Sequence, residues 1–407
     1  MVATVLNDDV SMPTHWKAAT PVLMAVGAVC ILVSLGLCYL AGDAESREFG
    51  FKTFMHSYLA NFIYCLSFCI GGLFFVLITN VSRAAWCATI RRVSELLAVT
   101  VTLWSIMFVP IVAMVLMTPS TALFSWNGPD SGLSAEKLGY LNGTWFTIRA
   151  IIYFGVWAIT ASYYFARSRE QDETGNAEIS LRLQRYAGPA IMLFALSLNF
   201  AAFDWVMSID PTWFSTMFGV YLFAASMMGF FALMIVIFLA LQRNGRLLKY
   251  VNVEHYHDMS KFLFGFVFFW SYIAFSQFLL IWYANMPEET VWYLHRINDG
   301  WENVGLFLIF GHFAFPMLLL LSRHVRRNRA VMGVWAFILL FMHWIDISYL
   351  IMPNSGHPTL MMWIGHAVCA VGMISMFLSF VLIRAGNTPL VAKRDPWIPD
   401  ALSYHVM

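Results

Sequence analysis

Ten stretches of this sequence stay apolar long enough to cross a bilayer, and that limits the fold before any single residue is considered. A hydrocarbon core of about 30 Å takes roughly 20 helical residues. The runs lie near 17–41, 51–79, 94–117, 143–166, 187–208, 213–242, 258–285, 301–322, 330–352 and 362–383. Inside lipid every backbone polar group must be bonded internally, so a segment spans as a helix or as part of a closed barrel. None of these runs alternates with a period of two, so the sequence predicts an all-α integral membrane protein. Composition agrees: 12% of residues are charged, about half the share of a typical soluble domain. The reading is one membrane domain, 17–383, between an N-terminal segment, 1–16, and a C-terminal tail, 384–407. No basic, short-h-region signal precedes the first run, so it is read as a retained helix.

Charge gives the orientation. With the N-terminus, the even-numbered loops and the tail on one side, that side holds eighteen Lys and Arg and the other holds four. Arg149 and Lys261 fall within spans. The positive-inside rule then puts both termini in the cytoplasm. The loops differ in kind. The third, 118–142, carries the turn formers Asn127 to Gly132, and its Leu133 to Leu141 has the pattern of a short interfacial helix. Trp292, Tyr293 and Trp301 in the seventh suit the headgroup layer. The fourth, Arg167 to Arg185, mixes both signs as a solvated surface or subunit contact does, and Pro389, Pro396 and Pro399 make the tail an extended strap. Between the fifth and sixth runs, Ser208-Ile209-Asp210-Pro211 reads as a tight hairpin, with Asp210 as N-cap and Pro211 in the first turn of the next helix.

Several function classes drop out here. A net charge of +1 argues against nucleic acid as a partner. The six cysteines form neither CxxC nor CxxCH, which argues against a metal site, an iron–sulfur cluster or covalent haem. His343, His312 and His366 lie on different helices, so a haem b between two of them is geometrically open, but nothing in their spacing requires it.

Charged and imidazole groups inside a membrane are costly and mark candidate sites. At 1.5 Å of rise per residue, Asp204 and His366 lie ~6 Å below the outer end of their runs, His56 ~8 Å, Arg149 and Asp346 ~9 Å and His343 ~13 Å. His312 is near the midplane and Glu302 at the outer rim, while Glu95, Asp258 and Lys261 stand at inner ends. The titratable groups therefore gather in the outer half. His343 and Asp346, three apart, share a helix face and can form a His–carboxylate contact that accepts and passes on a proton. The plain alternative for all of them is hydrogen bonding between packed helices. Arg149 is read as paired to a carboxylate or snorkelling outward.

Four blocks, FDWVMSIDPTWFSTMFGVYLFA (203–224), WYANMPEETVWY (282–293), GHFAFPMLLLLSR (311–323) and HWIDISYLIMP (343–353), carry a resemblance. Together they resemble the ActF-type membrane subunits of bacterial alternative complex III, in the NrfD/PsrC-like class. That resemblance implies two four-helix bundles, near runs two to five and six to nine, flanked by further helices in a bacterial inner membrane. It implies a quinol:cytochrome c oxidoreductase whose other parts are a paralogous NrfD-like subunit, an iron–sulfur protein and c-type cytochrome subunits, with a terminal oxidase and lipids as further neighbours. The quinone, menaquinone or ubiquinone, stays open. The class oxidises quinol on the periplasmic side, which suits Asp204, His343, Asp346 and His366. The resemblance also makes the paralogue the better candidate for the working quinol site, leaving this chain proton conduction or scaffolding. Three readings follow: a quinol-facing or proton-relaying subunit without haem, a structural anchor, and a secondary transporter. The last is disfavoured, since transporter sites gather at the midplane on interrupted helices.

Overall fold

The computed structural model describes residues 10–40, 47–117, 122–128, 132–298 and 300–404, with the backbone alone at 47–49. Among them are ten spanning helices, labelled α1 to α10: Thr20–Leu40, Gly50–Val81, Arg91–Met117, Gly143–Thr174, Glu178–Ile209, Phe218–Arg243, Val253–Ala284, Glu302–Leu320, Arg329–Ser355 and Leu360–Ala385. The described residues contain no strand, and the chain is an all-α, multi-span membrane protein.

The helices α2 to α5 pack in a ring, each on the next, with α5 closing on α2. A second ring runs α6 to α9, and α2 meets α6 and α9 at the seam. The pair α1 and α10 runs antiparallel outside, against α2. This is the two-bundle arrangement with flanking helices. Lipid tails are as apolar as leucine, so close backbone approach and hydrogen bonds must join such helices. The sequence supplies both. A Cβ on Gly71 would come within 2.3 Å of Phe230 Cβ on α6, and one on Gly72 within 2.9 Å of Ser94 O on α3. Adjacent glycines thus let α2 take a neighbour from each bundle. Gly27 on α1 faces Gly372 on α10 in the same manner, and Ser34 Oγ donates to Gly365 O at 2.7 Å.

Several expectations change. The fourth loop shrinks to 175–177, with Gly175 (φ +69°) ending α4, because both helices run on past the bilayer. Those extensions bring Asp172 and the buried Ser168 against Arg92. The hairpin is not capped by Asp210, and Pro211 does not open a helix: α6 starts at Phe218, and 210–217 form no helix. Trp213 explains this, since it leaves the chain path to stack on Trp292 at 4.5 Å. Trp292 and Trp301 are buried packing residues, not headgroup anchors, and Tyr293 is half-buried. The tail does not hang as a strap. Leu390 N donates to Val10 O at 2.8 Å, Asp395 pairs with Arg91, and Ile398–Leu402 is a short helix against Ala85–Thr89. The short helix of the third loop is present at Ala135–Tyr140. Residues 1–9 of the N-terminal segment, Pro129 to Ser131 of the turn-rich loop and the Arg47 side chain lie outside the described residues.

Candidate functional site

The outer polar groups do not form one cluster. They divide between the bundles, because each bundle closes around its own core.

In the first bundle Arg149 on α4 grips Asp204 on α5 with two bonds, Nε to Oδ2 at 2.6 Å and an Nη to Oδ1 at 3.1 Å. Tyr153 adds its hydroxyl to Oδ2 at 2.7 Å. The guanidinium also donates to Tyr140 O and lies 3.8 Å from the centre of that ring. A bidentate guanidinium with an extra hydroxyl neutralises and saturates a carboxylate. The expected pairing of Arg149 with a carboxylate therefore holds, and it locks Asp204. Outside the span, burial and then the Asp204 charge push the Tyr140 hydroxyl up to about 12.

The second bundle is different. Asp346 on α9 is fully buried, yet no cation lies within ion-pair distance among the described residues. Its partners are neutral: the Tyr221 hydroxyl of α6, in a short bond to Oδ1, and Trp270 Nε1 of α7, 3.2 Å from Oδ2. Trp270 in turn lies against His312 on α8, ring centres 4.2 Å apart. His312 is buried with neither ring nitrogen partnered. It sits in a π-helical turn, Ile309–Ala314. Two features favour that turn: Pro316 has no N–H to continue the α ladder, and Gly311 lets Met342 close in.

The expected contact between His343 and Asp346 does not form. Three residues apart, they point to different helices. Ser67 spends its proton on Tyr64 O, so it accepts from His343 Nε2 at 2.9 Å, leaving Nδ1 unpartnered. The ring fits because residue 229 is glycine, where a Cβ would lie 2.5 Å from His343 Cδ2. His366 is fully used between α2, α9 and α10. Ser348 Oγ, which donates to Trp344 O, accepts from Nε2 at 2.7 Å, while Ser57 and Asn61 turn to Nδ1 at 2.8 and 3.3 Å. That bonding suits helix glue and leaves no nitrogen for a haem iron. His56 donates from Nδ1 to Lys52 O at 2.8 Å and stands apart from both centres. Glu302 is exposed at the top of α8.

Beside Asp346 opens a cleft of about 810 Å³ between α7 and α8. The two helices pack along Ile309–Leu320 and part above it, so the exposed Phe275 and Leu306 form the lips of a sideways opening. Tyr221, Trp270, Gln277, Tyr293, Arg296 and Tyr349 line the interior, with Glu302 at the edge. Arg296 is 1% exposed and has no carboxylate partner among the described residues. Its three nitrogens donate to the carbonyls of Tyr349, Trp292 and Leu350, and it stacks 3.4 Å from the centre of the Trp292 ring. Burial lowers its pKa to about 10, which keeps it charged at neutral pH. Sequence reasoning missed this lining. Arg296 counts there only among the loop cations, and Tyr221 and Trp270 carry no mark of a site; Gln277, one amide amid FSQFLLIWY, was the available signal.

Two other features lie away from these centres. A cavity of about 660 Å³ in the inner half is walled by apolar side chains, and Tyr64, its one hydroxyl, is spent on Leu340 O. At the end of the molecule where the tail packs, Arg91 and Arg92 clamp the buried Glu95, with Asp172 and Asp395 beside them. Among the described residues no three His, Cys, Asp or Glu are grouped to hold a metal ion. No family model and no curated protein matches the chain.

Proposed function

We propose that this chain is a membrane subunit of a quinol-oxidising respiratory complex in a bacterial inner membrane. Its second bundle offers the quinol-facing pocket on the periplasmic side. The observation that carries the reading is a buried carboxylate, Asp346, held by neutral partners and reached through Tyr221 from a cleft open to lipid. A quinol is soluble only in the bilayer, so a sideways opening between helices is the access it needs. Oxidation releases two electrons and two hydroxyl protons. The electrons pass to a partner's redox centre; the resemblance implies an iron–sulfur protein, with c-type cytochromes beyond it. A proton leaving the head group can pass to the Tyr221 oxygen while Tyr221 gives its own to Asp346, a relay by a group already bonded to its acceptor. No step needs a cofactor held by this chain.

One observation favours a scaffold role for the first bundle: Asp204 is closed by Arg149 and Tyr153, and its ion pair ties α4 to α5. The test is Asp346→Asn in the intact complex. The quinol reading expects quinol-dependent cytochrome c reduction to fall in complex that still assembles. A pure anchor expects less assembled complex with unchanged turnover per complex.

A further inference from the structure

We infer that the cleft between α7 and α8 distinguishes the reduced from the oxidised form of its ligand, because its polar end is built to take a hydroxyl. This rests on the quinol reading and names the state of the substrate it selects. The polar end has two members. Arg296 is a donor only: three of its five N–H groups go to backbone carbonyls, and no described carboxylate neutralises it. A cation so placed on a cleft wall asks for an oxygen that accepts, which both a quinone carbonyl and a quinol hydroxyl provide. Gln277 is the discriminating member. It is 5% exposed, it lines the same cleft, and its Oε1 is buried with no partner. Tyr293 stands beside the amide, yet Oε1 accepts from no described group. A lone buried acceptor asks for a donor. A quinol hydroxyl can both accept, as Arg296 asks, and donate, as Gln277 asks; a quinone carbonyl can only accept.

A ligand that leaves a buried acceptor unsatisfied loses roughly five- to a hundredfold in affinity relative to one that satisfies it. The cleft therefore holds quinol more tightly than quinone, as a site that receives quinol and releases quinone should. Preference for the reduced form also raises the midpoint potential of the bound couple, by about 30 mV for each tenfold.

The experiment uses the full chain in lipid nanodiscs under anaerobic conditions, with decylubiquinol and decylubiquinone as probes. Quenching of tryptophan emission reports occupancy, since Trp270 and Trp292 line the cleft. The wild type is expected to bind the quinol at least about fivefold more tightly. Gln277→Met, similar in length but without the acceptor, should bring the ratio to one; Gln277→Glu, which keeps an acceptor, should retain it. Arg296→Lys should weaken both forms together and leave the ratio unchanged. Equal affinity for the two forms in the wild type, or an unchanged ratio in Gln277→Met, overturns the inference and leaves the quinol reading standing. Binding of neither form overturns the quinol reading itself.

Discussion

Asp204 and Asp346 occupy equivalent places in the two bundles, yet only Asp204 is neutralised. Each lies on the last helix of its ring, seven residues before a proline, Pro211 or Pro353, and each accepts a tyrosine hydroxyl from a neighbouring helix. Arg149 then closes Asp204 with two bonds, while Asp346 receives only the indole of Trp270. One framework thus holds a finished ion pair and a buried carboxylate with neutral partners only. The cleft lies beside the second.

Asp346→Asn keeps an oxygen for Tyr221 or Trp270 and removes the ability to take up a proton. Proton transfer by a placed side chain contributes typically 10²–10⁴-fold. A fall in quinol-dependent turnover of about a hundredfold is therefore expected, with assembly near normal. Turnover per assembled complex, measured beside the yield of complex, checks it; a loss of yield alone would assign Asp346 to packing.

Asp204 should behave in the opposite way. Removing one partner of a buried pair strands the other charge, at roughly 3–5 kcal/mol. Arg149→Met, which strands the buried Asp204, should lower stability in detergent by about that amount, Asp204→Asn by less because Arg149 is only half-buried, and the double variant by clearly less than the sum. A double-mutant cycle of unfolding midpoints measures the coupling. Additive losses would mean that the pair contributes little to holding α4 on α5.

The number of spans was legible because apolar run length reports it directly. The pairing of Arg149 was legible too, since a guanidinium inside a span must find an anion or water. What the sequence hid was direction around the helix axis. His343 and Asp346 share a face on paper, but 60° separates residues three apart, and that sends one side chain to α2 and the other to α6 and α7. Pro211 looked like a helix start because Asp210 before it is a good cap and proline suits a first turn; the stacking of Trp213 on Trp292, far along the chain, decides otherwise. The cleft was invisible for a related reason. It exists because α7 and α8 part above the π-helical turn, and no local pattern encodes the gap between two helices.

Gly229 tests how tightly the seam is set. Its missing side chain makes room for the His343 ring, and an added Cβ would stand 2.5 Å from Cδ2. The imidazole is buried between α2 and α6 and bonded to Ser67, so it has little freedom to retreat. Gly229→Ala should destabilise the protein by roughly 1–3 kcal/mol, as overpacking of a close-fitted interior does. Gly265, with open space around its position, is the control and should tolerate alanine. Thermal midpoints of the two variants in the same detergent decide the point; equal midpoints would mean that the seam yields easily.

Tyr140 gives the first bundle a pH signature. Its hydroxyl is raised to about 12, by burial first and by the charge of Asp204 second, above the usual value near 10. A raised acid pKa means that the folded state keeps its proton where the unfolded chain has lost it. Unfolding is then favoured increasingly once pH passes 10, so this contribution is whole below pH 10 and is lost on the way to pH 12. The buried tyrosines of the chain share that trend, so the useful comparison is with Tyr140→Phe. The variant should lose stability less steeply over this window while matching the wild type's pH dependence at neutral pH, as read from unfolding midpoints across the range. Identical slopes would place the Tyr140 hydroxyl in water, outside the field of Asp204.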